Sequence, residues 1–115
     1  MDRRQIGTLA ENSACAFLED QGFTIVTRNF LRRIGELDLV ARAGDLLVVV
    51  EVRTRASDRF GGAAASITRA KQRRIASTAS LLLQQYRELR TCRVRFDVIV
   101  VRDGKIEWLK HAFDA

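Results

Sequence analysis

A chain of 115 residues, 47% of them hydrophobic and 30% charged, is long enough to bury a core without disulfides or metals. Twenty Lys and Arg against fourteen Asp and Glu leave a formal charge of +6 and a pI near 10.3, a balance that suits solubility and favours a polyanionic partner. No apolar run approaches the roughly 20 residues that cross a bilayer, "MDRRQIG" lacks a signal peptide's apolar segment, and Cys15 and Cys92 stand far apart, predicting a cytoplasmic protein with reduced thiols and neither a disulfide scaffold nor a zinc site. With no proline, repeat or low-complexity tract to divide it, residues 1–115 are expected to form one domain.

In chain order, "DRRQIGTLAENSACAFLEDQGF" reads as an amphipathic helix. Asp2 and Gln5 stand at capping-box spacing, Ile6, Leu9, Ala10 and Phe17 recur on one face, and Gly22 supplies the stop. A strand follows over about 23–28, then two strands over about 36–42 and 46–53 joined through Gly44, then a loop with Gly61 and Gly62. "SITRAKQRRIASTASLLLQQYREL" is a second helix whose apolar stripe runs Ile75, Ala79, Leu82, Leu83 and Tyr86. "RVRFDVIVV", the turn Asp103-Gly104 and "KIEWL" make a second hairpin. The order αβββαββ, with a crossover helix between the third and fourth strands, predicts a parallel pairing there and an α/β fold with a central mixed sheet flanked by helices.

The third strand poses a chemical problem. Leu46 to Val52 is apolar at both alternating positions, as in a strand covered on both faces, except for Glu51. If Gly44 and Asp45 form a type II′ turn, Ala43 faces Leu46 and Val40 faces Val49. Asp38 then faces Glu51 and Glu36 faces Arg53. Two carboxylates about 4.5–5.5 Å apart at Cβ repel unless a cation lies between them. An oxygen-only pair suits Mg2+ or Mn2+, which accept one or two carboxylates, waters and a phosphate oxygen. The competing reading is ion pairing with Arg42, Arg53 or Arg55.

With Gly35, Glu36, Asp38, Glu51 and Arg53 in place, the chain resembles the YraN-like family of small bacterial predicted endonucleases, in the restriction-endonuclease-like superfamily. "RNFLRRIGELDLVA", "LLVVVEVRTR", "ITRAKQRRI" and "VRFDVIVV" look like its successive blocks and span nearly the whole chain. The resemblance implies a restriction-endonuclease-like fold and a site of an acid, a gap, then Glu or Asp, one residue and Lys. Asp38 and Glu51 match the acids and the metal ligands. Glu11 matches an additional acid of the related Holliday junction resolvases, and Arg53 stands where lysine is expected. From the residues alone Glu11 reads equally as a solvated helix glutamate beside Gly7, Ala14 and Leu18. Asp97 reads either as an extension of the acidic site or as a partner of Arg93 or Arg95.

Arg69, Lys71, Arg73 and Arg74 crowd the start of the second helix, where cations oppose the helix dipole and a phosphate backbone would be welcome. Arg28, Arg32 and Arg33 are candidates for the opposite bank of a groove, with Arg55 and Arg59 on the glycine-containing loop. Such contacts go to phosphates and carry little sequence information. The function expected is a Mg2+- or Mn2+-dependent endodeoxyribonuclease acting on DNA, branched or structured sites included, as a monomer or homodimer and away from membranes. Because Arg53 replaces the lysine, the competing expectation is a nucleic-acid-binding module that keeps the fold without turnover. An RNA- or ribosome-associated basic protein would explain the charge but leave Asp38 and Glu51 unaccounted for.

Overall fold

The computed structural model describes residues 1–54 and 66–114. Arg55, Arg59, Gly61 and Gly62 lie outside the described residues. Helix α1 (Arg3–Asp20) opens on the expected capping box: Asp2 accepts from the Gln5 backbone N–H, and Gln5 accepts from that of Asp2, at 2.9 Å each. Strands β1 (Thr24–Arg32), β2 (Gly35–Ala43) and β3 (Leu46–Arg53) follow as an antiparallel meander. Helix α2 (Arg69–Gln85) crosses over to β4 (Arg93–Arg102), which lies parallel to β3, and β5 (Lys105–Phe113) returns antiparallel. The five strands stand in sequence order, a mixed α/β sheet compatible with a restriction-endonuclease-like fold.

The apolar run of β3 is explained by the two helices. Leu47 and Val49 pack with Ile75, Ala79 and Leu82 of α2, whereas Val48 and Val50 pack with Ala14, Cys15 and Leu18 of α1 on the other face. Both sides of β3 are therefore dry. Cys15 is buried, Cys92 is half-buried, and both are free thiols.

Several element boundaries differ from expectation for physical reasons. β1 runs four residues further, because a bulge near Ile25–Thr27 and the positive φ of Asn29 (51°) interrupt its alternation without ending its pairing. β5 continues to Phe113, whose ring stacks on Phe96 at 5.3 Å. α2 begins only after Thr68, which caps it by accepting from the Lys71 backbone N–H. In α1, Ile6 and Leu9 do not face the core as the periodicity suggested: they are 42% and 49% exposed. Ala10, Ala14, Cys15 and Leu18 make the contact, and the first turns border an open cleft at the ends of β3 and β4 instead.

Candidate active site

The Gly44 turn, with φ of 59°, sets the register expected for β2 and β3: Ala43 pairs with Leu46 and Val40 with Val49. Ladder pairing ends at Leu39 and Val50, one step short of the two acids. There the Asp38 side chain replaces the ladder, its Oδ2 accepting from the Val52 backbone N–H at 3.0 Å. Residues two apart on a regular strand share a face, yet Leu37 packs on the α2 side and Leu39 on the α1 side. β2 therefore turns over at Asp38, which leaves its carboxylate at the seam between the two helices.

Glu51 is 6% exposed. Its Oε1 meets the Lys71 Nζ of α2 at 2.6 Å and the Arg53 Nη2 at 3.8 Å. Arg53 Nε is buried without a hydrogen-bond partner among the described residues. These cations do not neutralise the site as a whole. Burial in the first place and the Glu51 charge in the second push the Asp38 carboxyl up to about 7, against the opposing pull of the Val52 N–H and Lys71. The position expected to hold lysine is thus answered from a different element: Arg53 stays at the rim while an ammonium arrives from α2.

Glu11 is near but otherwise engaged. Its Oε1 accepts from Asn29 Nδ2 at 3.1 Å and lies 3.7 Å from Arg28 Nη2, while its charge is still felt at Asp38. Among the described residues no group of three or more His, Cys, Asp or Glu side chains is arranged around one point. The fit for a metal therefore rests on two carboxylates. Glu51 Oε1 is engaged by Lys71 and Asp38 Oδ2 by Val52, so one oxygen of each acid has neither of these partners. A hard cation that keeps several waters suits that donor set, and its charge would oppose the burial and the Glu51 charge that raise the Asp38 carboxyl. Past Val52 and Arg53, the C-terminal ends of β3 and β4 open into a cleft of about 1090 Å³ bordered by Ile6, Gly7 and Ala10 of α1.

The basic residues divide into two groups. Arg33, Arg69, Arg73 and Arg74 are exposed. Arg28 is exposed too but donates to Asn12 at 2.8 Å, and the half-buried Arg32 lies over the Phe30 ring at 3.9 Å and donates to Gln85 at 2.6 Å. Glu36 is exposed, and the Arg53 guanidinium approaches Glu51. Lys71, expected among the phosphate contacts, is drawn into the acidic site. A signal for this was present, since Lys71 precedes Ile75 by four residues and Ala79 by eight and so extends the core-facing stripe of α2.

Asp97 resolves in favour of its arginine. Fully buried, it takes both Arg95 Nε and Nη2 at 2.8 Å, Trp108 Nε1 at 2.9 Å and the His111 backbone N–H at 2.9 Å. It ties β4 to β5 and lies outside the Asp38–Glu51 site. Trp108 meets Phe17 and Phe23 edge to face at 5.6 and 5.8 Å, as a core residue. Gly35 carries a requirement that the sequence hid: a Cβ there would stand 2.7 Å from Thr78 Oγ1, so α2 can pass over the start of β2 only where no side chain intervenes.

Comparison with known proteins places this arrangement among relatives. The chain is 48% identical over 111 residues to a UPF0102 protein of Nitrosomonas europaea, covering 94% of this chain and 92% of the relative. It is 50% identical over 109 residues to one of Cupriavidus metallidurans, covering 94% and 80%, and 43% identical over 113 residues to one of Herminiimonas arsenicoxydans, covering 98% and 90%. The model of the family described as "Uncharacterised protein family UPF0102" matches residues 10–101, a span that includes Asp38, Glu51, Arg53 and Lys71. The chain belongs to the UPF0102 family.

Proposed function

We propose that the protein is a metal-dependent nuclease that hydrolyses DNA phosphodiesters, structured sites included. The observation that carries this reading is the pair of buried Glu51 and half-buried Asp38, the latter's carboxyl pushed up to about 7 by burial and by the Glu51 charge, set beside Lys71 and Arg53. Asp38 and Glu51 are the residues to hold Mg2+ or Mn2+. When bound, that ion supplies Lewis acidity at a phosphate oxygen and activates water.

The chain's own groups do the rest. The Val52 N–H fixes one Asp38 oxygen, so the carboxylate is oriented before any ligand arrives. Lys71 brings a compact ammonium with three donors to the edge of the site, the role that a lysine at position 53 would have filled. Arg53 offers a planar fork, including an Nε with no protein partner among the described residues, to an anionic phosphate. Its contribution is to stabilise charge that develops on the phosphate, not to move a proton.

Single-turnover cleavage of labelled duplex, single-stranded and four-way-junction DNA with Mg2+ and with Mn2+ tests the reading. The natural protein is expected to cleave, and Lys71→Met to lose on the order of 100-fold or more in rate. Arg53→Lys should change the rate modestly, because an ammonium is already present, and Arg53→Ala should lose far more. A natural protein that binds DNA and Mn2+ but cleaves none of the substrates would favour the non-catalytic binding module, for which Arg53 in the lysine position is the supporting feature.

A further inference from the structure

The tip of the β1–β2 hairpin, the turn Arg33–Ile34 and the residues beside it, puts apolar side chains into solvent. Leu31 is 64% exposed and Ile34 42%. The tip is braced: Arg32 lies over the Phe30 ring and reaches Gln85 at the end of α2. At its base Gly35 lets α2 approach so closely that a Cβ would stand 3.5 Å from the Arg74 Cβ. Arg33 is exposed in the turn itself, and Arg73 and Arg74 are exposed on the stretch of α2 that passes Gly35, with Glu36 the one acid of the hairpin end.

That charge pattern selects the partner. A second copy of the chain, docking tip to tip, would bring the same arginines against one another, whereas a phosphate backbone neutralises them and releases counterions. Aliphatic side chains on a basic protrusion are the kind that enter between base steps and unstack them. The tip also stands at a useful distance. Ile34 precedes Asp38 by four strand residues, about 13 Å at the usual rise, or about four base steps of DNA.

We propose that this tip is a nucleic-acid wedge, Leu31 and Ile34 entering between bases of DNA whose scissile phosphate lies at Asp38 and Glu51, with Arg33, Arg73 and Arg74 on flanking phosphates. The placement of the phosphate rests on the nuclease reading, but the wedge is read out without cleavage. A short duplex carrying 2-aminopurine along one strand is titrated, in the absence of divalent cation, with the natural protein, with Leu31→Ser/Ile34→Ser and with Arg73→Ala/Arg74→Ala. The natural protein should raise the fluorescence severalfold as bases unstack. The serine variant, altered only at exposed positions, should keep its melting temperature and its salt slope but lose the rise. The alanine variant should flatten the logarithmic salt dependence by roughly 0.9 per lost contact while keeping the rise at saturation. Salt-dependent binding with no rise, or an equal rise from the serine variant, overturns the wedge and leaves the nuclease reading to the cleavage assay. No DNA binding at all overturns both. A natural protein that is dimeric without DNA and becomes monomeric on the serine substitutions assigns the tip to a second copy and also overturns the wedge.

Discussion

Two acidic centres, one fully buried and one half-buried, lie on the same sheet and are treated in opposite ways. Asp97 accepts four hydrogen bonds, from Arg95, Trp108 and the His111 backbone, and so has a donor for each lone pair it can use. Asp38 receives one backbone N–H and faces Glu51, which shares Lys71 and Arg53. A fold that can saturate one buried carboxylate could saturate another. The contrast marks Asp97 as a strut of the sheet, whereas the Asp38–Glu51 pair, with fewer donors among the described residues, is the pair proposed to hold a cation.

The largest effect that would sharpen or break this contrast is on stability. Asp97→Asn turns one acceptor oxygen into a donor facing Arg95 and leaves two of the four donors around it without a carboxylate oxygen, at a cost of about 1–3 kcal/mol in urea unfolding. Asp38→Asn keeps the size and an acceptor for Val52 while removing the repulsion with Glu51, so above neutral pH it should leave stability unchanged or raise it. Equal losses from the two substitutions would erase the distinction between strut and site.

A comparable effect probes how the site is framed. Gly35→Ala places a methyl 2.7 Å from Thr78 Oγ1, which is itself held by donating to the Arg74 carbonyl at 2.7 Å. Overpacking of this kind costs about 1–3 kcal/mol. Combining it with Thr78→Ala should recover part of the loss, a non-additivity that a thermal melt of the four variants in the cycle would read. Full additivity would mean that α2 does not constrain β2 there.

How much of this was legible in the sequence follows from what kind of signal each feature leaves. The capping box of α1, the Gly44 turn and the double-sided apolar run of β3 are local or periodic, so element order, strand register and the parallel β3–β4 pairing could be read before any coordinates. Extending that register one step brings Asp38 towards Glu51, but the ladder stops at Leu39 and Val50, and the turn of β2 that sends the Asp38 side chain to the Val52 N–H left no local signal. Lys71 could not be assigned to them with the same ease, because its approach to Glu51 depends on how α2 lies across the sheet. Nor could Thr78 over Gly35, for the same reason. The exposure of Ile6 and Leu9 shows the complementary limit: helical periodicity marks a face but not how far along the helix the sheet extends.

The dependence on pH has to be read as a difference, since other carboxylates titrate across the same window. Folded Asp38 holds its proton up to about 7, whereas the unfolded chain releases it near the ordinary value of 3.8. Between those values the folded state binds more protons, so this group's contribution to stability is present at low pH and is lost as pH rises towards 7. Subtracting the Asp38→Asn curve from that of the natural protein, both without metal, isolates the contribution. A difference that grows in favour of the natural protein with rising pH would contradict the assigned repulsion.

The proposal that Asp38 and Glu51 together hold a cation is tested most directly by calorimetric titration of the metal-free protein with Mn2+ at neutral pH. The natural protein should bind with a defined stoichiometry and release protons as Asp38 ionises, and Asp38→Asn/Glu51→Gln should abolish both the heat and the proton release while Asp97 and the fold stay intact. Mn2+ binding that survives the double substitution unchanged, or none in the natural protein, would contradict the claim.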